Sequence, residues 1–409
     1  MSGGLDGGVD MTHRVLIAGM GPAGLVAGLM LARAGLEVAI FEAETDLPRD
    51  LRASTFHPPT LDMLARLGLA DLLVDQGLVA PRYQWRDRAT GDAATFDIGC
   101  LAGLTDYPFR LQCEQWKLTD MARAALEVET NATLEFGWAA TDVEQTRGDV
   151  TLLLDRDGQN RRETGDFLIG ADGASSAVRR ALGIAFEGFT YPEQWVVAST
   201  PVDFATKLPG LAPVTYTADT EEWFVLLQTR DLWRVLIPVE DDADADVILS
   251  DDWIEAKLQG IAPHDTAYPI AHRTIYRVHQ RVADRYRVGR AAIAGDAAHI
   301  NNPLGGMGMN GGIHDAVNLA EKLIAVFRDG ADMETLLDHY SDQRRAIAEE
   351  YVQTHTHQTK QAIEEKDPAK RQTHLARLKD IAATPETLVT HVRKGAMLDA
   401  VEKSMGVRP

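Results

Sequence analysis

Residues 13–19, His-Arg-Val-Leu-Ile-Ala-Gly, form a short, nearly continuous apolar run, the pattern of a parallel strand buried on both faces. From Pro22 to Ala34 the spacing predicts a helix, which Gly35 ends. Leu36 to Glu42 reads as the next strand, so the three pieces make a βαβ unit. Residues 15–32 carry no charge and are long enough to cross a membrane. Gly19, Gly21, Gly24, Gly28 and Pro22 within them fit a strand-turn-helix better. A helix is expected over 58–78, with Leu61, Leu64, Leu67 and Leu69 on an apolar stripe. Another is expected over 115–127, then a small antiparallel β-ribbon over 133–155. Residues 167–173, Phe-Leu-Ile-Gly-Ala-Asp-Gly, read as a third strand ending in a turn.

The pattern changes over 186–280. Helical periodicity is mostly lost, and aromatic or β-branched runs take over: Trp195-Val-Val, Val214-Thr-Tyr, Trp223-Phe-Val-Leu-Leu and Leu232-Trp-Arg-Val-Leu-Ile. This predicts a second, sheet-based domain inserted into the first. After residue 290 the α/β pattern returns. The run Arg290-Ala-Ala-Ile-Ala-Gly295 is followed by an acid, a Pro/Gly loop and a helix over 310–328. Ile313, Val317, Ala320, Leu323, Ile324 and Phe327 share one face of that helix, and Gly330 suits its C-terminal cap. Residues 333–409 read as helical and polar, and no repeat stands out.

Composition sets limits on this picture. The chain has 409 residues, 45% of them hydrophobic, enough for two or three domains. Its net charge of −20 argues against nucleic acid or anionic membranes as partners. An anionic cofactor would have to be held by local arginines and amide dipoles. Cys100 and Cys113 are the only cysteines and form no metal-spaced set, which suits reduced thiols in a cytoplasmic protein. The first residues, Met-Ser-Gly-Gly-Leu-Asp-Gly-Gly, have neither the basic nor the apolar region of a signal peptide and read as a disordered lead-in.

Two motifs carry chemistry. Gly19-Met-Gly21-Pro-Ala23-Gly24 follows a strand and opens a helix. Glycines there allow a tight turn, close approach of a pyrophosphate and close helix–strand packing. Glu42 lies 23 residues after Gly19, at the strand end where a carboxylate accepts the hydroxyls of an adenosine ribose. The first motif alone does not separate NAD from FAD. The second, Gly295-Asp296-Ala-Ala-His299, favours FAD, whose ribityl chain and flavin must be held far from the adenosine. Asp296 can accept from a ribityl hydroxyl. The amides of Met309 and Asn310, at a helix start, can face the flavin N1/O2 edge, where negative charge collects on reduction.

At this point the chain resembles the single-component FAD-dependent aromatic hydroxylases, the para-hydroxybenzoate hydroxylase-like flavoprotein monooxygenases. Three separated blocks carry the resemblance over about residues 13–345. They are Gly19-x-Gly21-x-x-Gly24; Gly170-Ala-Asp172-Gly173 with Ser175, Val178 and Arg179; and Gly295-Asp296-Ala-Ala-His299 with Pro303, Gly305, Gly308 and Asn310. The resemblance implies an α/β fold: a Rossmann-type FAD-binding domain (12–80, 100–185 and 284–340), an inserted mixed β-sheet substrate domain (81–99 and 186–283) and a C-terminal helical region (341–409). It implies FAD as cofactor and NADH or NADPH as transient co-substrate. O2 and a small aromatic or heteroaromatic substrate would be hydroxylation partners, through a flavin C4a-hydroperoxide. Glu42 would hold the ribose, Arg52 the diphosphate, Gln112 the FAD chain, Asp172 the turn between FAD and reductant, and Asp296 the ribityl or pyrophosphate part. Pro303 would set its carbonyl near the flavin, and Gly308, Met309 and Asn310 would open the helix at its pyrimidine edge. One departure is Ala43, where the family often has Arg after the ribose acid. No second nucleotide motif is present, so the reductant would bind transiently. The oligomeric state stays open, a homodimer being one option.

Other candidates are less specific. Ser54 and His57 could reach the flavin's neighbourhood, where His57 would be a base for a phenol or simply a helix-start residue. Trp223, Trp233 and Arg234 would line a substrate pocket or belong to a core. His299 would orient its loop, and His355 and His357 would be surface residues. A flavin-dependent halogenase is an alternative, but Val235 replaces the second Trp of its Trp-x-Trp-x-Ile-Pro signature in Trp233-Arg-Val-Leu-Ile-Pro238. A saturating reductase of the same fold and a non-catalytic flavin-binding protein are the others. The segment after Glu42, Ala43-Glu-Thr-Asp-Leu-Pro-Arg-Asp50, holds one Arg against three acids, which disfavours a 2′-phosphate and so NADPH.

Overall fold

The computed structural model describes residues 13–49, 51 and 53–407. Strand β1 (Arg14–Ala18), helix α1 (Pro22–Arg33) and strand β2 (Glu37–Glu42) form the expected unit. β1 lies at the centre of a six-stranded sheet, between β2 and Phe167–Gly170, with Ile17 opposite both Ile40 and Ile169. Ala291–Ile293 extends it in parallel beyond Phe167–Gly170. Because both faces are covered, these strands need no alternation, and Val15, Leu16 and Ile17 are all fully buried.

The second sheet has eight strands among the described residues and is mostly antiparallel. It runs from His299–Ile300 through His272–Ala283, Phe186–Thr200, Trp233–Glu240, Phe224–Gln228 and Val214–Ala218 to Arg82–Asp87 and Ala93–Asp97. Period-2 alternation splits Trp233–Glu240 between two faces. Trp233, Val235 and Ile237 join a cluster with Ile254 and Leu258 of the helix Asp251–Ile261. Leu236 points to the other side, where Leu375, Leu378 and Val392 of the C-terminal helices also pack.

Four expectations need correction. The helix over 58–78 is two, α2 (Pro58–Ala65) and Ala70–Gln76, because Gly68 takes φ +67° between them. The ribbon over 133–155 begins only at Ala139, since Ala132–Phe136 pairs in parallel with β2. The sheet domain holds a real helix, Asp251–Ile261, started by a Ser250 side chain that accepts from Trp253 N and by two first-turn acids. His355 and His357 are half-buried and not simply surface residues. His357 Nδ1 meets the Tyr191 hydroxyl at 3.0 Å, and burial pushes His355 down to about 4, helped by the charges of Lys394, His391 and Arg110. The terminal lead-in lies outside the described residues.

The long helix Gly308–Asp329 is tied to this core by a buried charge group. Asp315 accepts from Arg344 Nε at 2.6 Å, His299 Nε2 at 2.8 Å and Gly295 N at 3.1 Å. The Asp315, His299 and Arg344 side chains are 0%, 2% and 3% exposed. Burial alone would raise the Asp315 pKa, but His299 and Arg344 outweigh it and hold the carboxyl below its usual range. A depressed carboxyl contributes stability that is complete above its unfolded pKa, about 3.9, and is lost as pH falls through the folded value. Asp315→Asn keeps the shape and strands the Arg344 charge, so it should lower unfolding stability by about 3–5 kcal/mol near neutral pH. Denaturant unfolding of both proteins measures this, and a loss under about 1 kcal/mol would show that the group is not an anchor.

Candidate active site

Three loops converge where α1 begins. Gly19 takes φ +99°, and a Cβ there would lie 2.3 Å from Ala171 O. A Cβ on Gly24 would lie 2.1 Å from Gly19 O. Both positions are therefore closed to any side chain. Gly21 differs, for a Cβ there meets nothing within 4 Å. Ala23 lies against Gly295, whose Cβ position is 3.2 Å from the Ala23 methyl. The same close packing brings Gly312 to Gly295, where a Cβ on Gly312 would lie 2.9 Å from the Gly295 Cα. The first, second and third sequence blocks are thus one structure.

α1 starts at Gly21 without a side-chain cap or a first-turn acid, so its amides face outward beside the open Gly21 position. Glu42 stands next to it, with Oε2 accepting from Met20 N at 2.8 Å and Oε1 from Glu44 N at 3.1 Å. Gly308–Asp329 likewise starts with neither cap nor acid. Uncapped amides at two helix starts, an open glycine and a carboxylate at a strand end fit the diphosphate, ribose and flavin edge of FAD.

A cavity of about 680 Å³ opens beside the second helix start. One wall is loop: Ala53, Ser54 and Thr55, then Asp296, Pro303, Gly308 and Met309. The other is the eight-stranded sheet: Tyr216, Leu227, Arg234, Leu236, His272 and Tyr276. The Tyr216 hydroxyl accepts from Gly305 N at 3.1 Å, and Arg234 Nη1 donates to Ser54 Oγ at 2.9 Å, so the walls are pinned together. Arg234 also donates to Leu51 O. It is 3% exposed. Burial pushes the Tyr276 phenol up to about 12, with Arg234 acting against that rise, so Tyr276 keeps its proton at neutral pH.

Asp296, Pro303, Gly308, Met309 and Arg234 thus meet at the cavity, while Gly19, Gly21, Ala23, Gly24 and Glu42 form the other end of the site. The Pro303 carbonyl accepts from Gly306 N at 3.0 Å. Asn310 is buried, and its side chain laces two segments together: Nδ2 donates to Thr55 O at 2.8 Å and Gly306 O at 2.6 Å, and Oδ1 accepts from His57 N at 2.9 Å. Gln112 is fully buried, and its Oε1 accepts from Thr55 Oγ1 at 3.1 Å. Asp172 caps the helix Ala177–Ala181, accepting from Ser176 Oγ, Ala177 N and Val178 N. Arg179 joins that block to the third through Ala297 O at 2.9 Å. Arg52 lies outside the described residues.

Three residues are not where sequence reasoning put them. His57 is fully buried and off the cavity wall, with Nε2 donating to Gly305 O at 2.8 Å. Burial and the charge of Arg110 hold it neutral. It braces the loop and is in no position to take a substrate proton. Trp233 faces the helix-covered side of the sheet, where its Nε1 donates to Asp203 Oδ1 at 3.0 Å. Trp223 packs edge-on against Trp195, with centroids 5.1 Å apart, and is not part of the cavity wall. Tyr216, His272 and Tyr276 went unnoticed, though the alternation His272-Arg-Thr-Ile-Tyr276 carries their signal.

These features fit a flavin-dependent oxidoreductase, with a cavity beside the second helix start. A sequence model described as "FAD binding domain" matches residues 12–355. The chain is 35% identical to 6-hydroxy-3-succinoylpyridine 3-monooxygenase of Pseudomonas putida over 344 residues, 83% of this chain and 86% of that protein. It is 33% identical to para-nitrophenol 4-monooxygenase of Pseudomonas sp. strain WBC-3 over 366 residues, 87% and 89% of the two. The crystal structure of p-nitrophenol 4-monooxygenase from Pseudomonas putida DLL-E4 superposes with a TM-score of 0.89 at 30% identity, covering 97% and 98% of the chains. The chain belongs to this family of FAD-dependent aromatic monooxygenases.

The open Gly21 and the closed Gly24 of the glycine motif separate binding from folding. Gly21→Ala should fold with near-native thermal stability when stripped of flavin, yet bind FAD at least about tenfold more weakly, a loss of some 1.4 kcal/mol. Gly24→Ala should be destabilised even without FAD, because its methyl meets backbone. Thermal unfolding of the apoproteins and FAD titration by fluorescence test this, and equal FAD affinity in Gly21→Ala and the parent would contradict the assignment.

Proposed function

We propose that this FAD-dependent monooxygenase acts on a small phenol or hydroxypyridine, bound as an anion or near-anion, with NADH as the preferred reductant. The observation behind the substrate class is the pairing of Arg234 and Tyr276 on one cavity wall. A buried guanidinium and a tyrosine that retains its proton both stabilise an oxygen carrying negative charge. Such an oxygen makes the ring electron-rich, as attack by an electrophilic oxygen requires. The two relatives above are named for a hydroxypyridine and a nitrophenol, in keeping with this reading.

FAD supplies the redox chemistry, passing two electrons from the nicotinamide to O2. One oxygen atom enters the ring C–H bond and the other leaves as water, so NADH, H+, O2 and ArH give NAD+, H2O and ArOH. The chain's own residues do the rest. The amides of Met309 and Asn310 would face the flavin's pyrimidine edge and favour its reduced, anionic form. Glu42 would hold the ribose, and Asp296 the ribityl chain. Arg234 and Tyr276 would orient the ring oxygen, and Leu227 and Leu236 would exclude water from the apolar side. No group of three His, Cys, Asp or Glu able to hold a metal is found among the described residues, and none of their helices is long and apolar enough to cross a membrane. With Cys100 and Cys113 both free, a cytoplasmic site of action fits.

The reading makes two measurable statements. Tyr276→Phe should keep its FAD but lose about tenfold or more in kcat/KM for the best phenolic substrate, the value of a hydrogen bond to a charged group. A panel of phenols and hydroxypyridines with 18O2, scored by NADH oxidation and product mass, identifies that substrate, and unchanged kcat/KM in the variant would remove Tyr276 from the site. The reductant preference comes from the segment after Glu42. Its one described cation, Arg49, is already paired with Asp120 at 3.1 Å. A 2′-phosphate there would meet Glu44 with no free cation, a penalty of about 1 kcal/mol or roughly fivefold. NADH should therefore be used at least as well as NADPH, and a clear NADPH preference in kcat/KM would show that the nucleotide binds elsewhere.

A further inference from the structure

Six arginines are buried among the described residues: Arg110, Arg179, Arg234, Arg287, Arg344 and Arg371. Five have evident partners. Arg344 meets Asp315, Arg371 meets Asp87, and Arg287 meets Glu334 and Asp338. Arg179 donates to two carbonyls, and Arg234 to Ser54 and Leu51. Arg371 also has Nε and Nη1 without hydrogen-bond partners but keeps the Asp87 carboxylate, whereas Arg110 has no such ion pair among the described residues. It is 4% exposed, and its one hydrogen bond is a long one, 3.4 Å from Nη2 to Gly395 O. Nε and Nη1 are buried with no partner at all.

The surroundings deepen the imbalance. Arg110 sits in the strand Arg110–Gln112, with its guanidinium 4.3 Å from the centre of the Tyr83 ring. His391 stacks on Phe96 at 4.5 Å and lies 6.5 Å from Tyr83. Burial pushes His391 to about 4, and the charges that add to this are Arg110, Lys394, Arg377 and a further histidine. His355 is pushed to about 4 by burial and by Lys394, His391 and Arg110. Both histidines are half-buried and uncharged at neutral pH, so the guanidinium of Arg110 is the buried charge of this cluster.

A structural explanation is available and falls short. The helix Pro385–Gly395 ends at Gly395, and a helix C-terminus attracts cations with about half an elementary charge. That end already carries Arg393 and Lys394 in its last turn. The Tyr83 face adds a further, modest attraction. Neither supplies acceptors for Nε and Nη1, and a buried guanidinium without a counter-charge is strongly unfavourable.

We propose that Arg110 is the centre of a buried binding site for a small monovalent anion of the size and charge of chloride, enclosed by Tyr83, His391 and the end of the helix Pro385–Gly395. The anion accepts from the unpartnered guanidinium nitrogens and neutralises the charge of Arg110. Its size is limited, because a methyl on Gly395 would already touch the Tyr83 hydroxyl at 3.6 Å and Arg110 Nη2 at 3.9 Å. The site joins the C-terminal helices to the flavin-side framework. Gln112, two residues along the same strand, holds Thr55, and Arg110 acts electrostatically on His57, which braces the loop at Gly305.

The test is thermal unfolding of the holoenzyme at fixed pH and ionic strength, with sodium gluconate replaced stepwise by sodium chloride. The parent Tm should rise by roughly 2 °C for each tenfold increase in chloride once the site begins to fill. Arg110→Met, which keeps the apolar bulk and removes the charge, should show no chloride dependence, whatever its own Tm. No dependence in the parent, or the same dependence in both, overturns the proposal. If Arg110→Met does not fold, crystals of the parent holoenzyme soaked in sodium bromide decide. An anomalous peak within hydrogen-bond distance of Arg110 Nε or Nη1 is expected, and its absence there overturns the proposal.

Discussion

The buried carboxylate of Asp315 is the point on which the catalytic end of the molecule is assembled. It reaches the backbone of Gly295, the ring of His299 and the guanidinium of Arg344 from a single side chain. Those groups belong to a strand end, the loop beyond it and a helix some thirty residues further on. Charged groups inside a protein are costly unless they are paired and hydrogen-bonded, and here both Asp315 oxygens are bonded by elements that must not move. Tyr340 adds to the same joint by donating to Ile293 O at 2.7 Å. The result is a rigid platform from which Asp296 and the amides at the start of Gly308–Asp329 project into the site.

Rigidity at that platform matters because the opposite side of the site comes from the chain's first thirty residues. The two halves meet where the Ala23 methyl lies against Gly295, whose own Cβ position is 3.2 Å from it, and Gly19 lies as closely against Ala171 and Gly295 against Gly312. Backbone-to-backbone approach of this kind has no slack, so the distance between the two helix starts is fixed by glycine positions instead of by side-chain packing. A cofactor that spans both starts then finds its anchor points already spaced.

Most of this was legible in the sequence where local chemistry dictates it. The βαβ unit, the uncapped helix starts and the Gly330 cap follow from glycine placement and apolar runs, and Gly330 does take φ +71°. What escaped was decided by tertiary contact. His57 reads as a base because its place in the sequence could reach the flavin's neighbourhood, but the bond of its backbone amide to Asn310, 253 residues away, belongs to a buried brace. Trp233 and Arg234 are neighbours in sequence and were placed together, yet a strand sends them to opposite faces, and the helix Asp251–Ile261 claims the Trp233 face. Residues of the sheet wall such as Tyr276 carry no motif, since a cavity wall is recognisable only when the strands around it are known.

The same division explains how a strongly acidic protein can serve anionic ligands. At the nucleotide end the described residues offer amides and a helix dipole, and the nearest acids, Glu42 and Glu44, are left in place. Amide donors bind a diphosphate without adding a mobile charge, so they do not disturb a neighbouring carboxylate that must accept from ribose hydroxyls. At the substrate end the opposite solution appears, a single fixed cation. Arg234 is held by Ser54 and Leu51 and lies next to a tyrosine that keeps its proton, so positive charge is presented to the cavity from a side chain that cannot swing away. A fixed charge orients a ring oxygen, whereas a flexible one would merely attract it. On the proposed reading, regiochemistry would follow from the distance between that oxygen and the flavin edge, across cavity walls joined by the Tyr216–Gly305 and Arg234–Ser54 bonds.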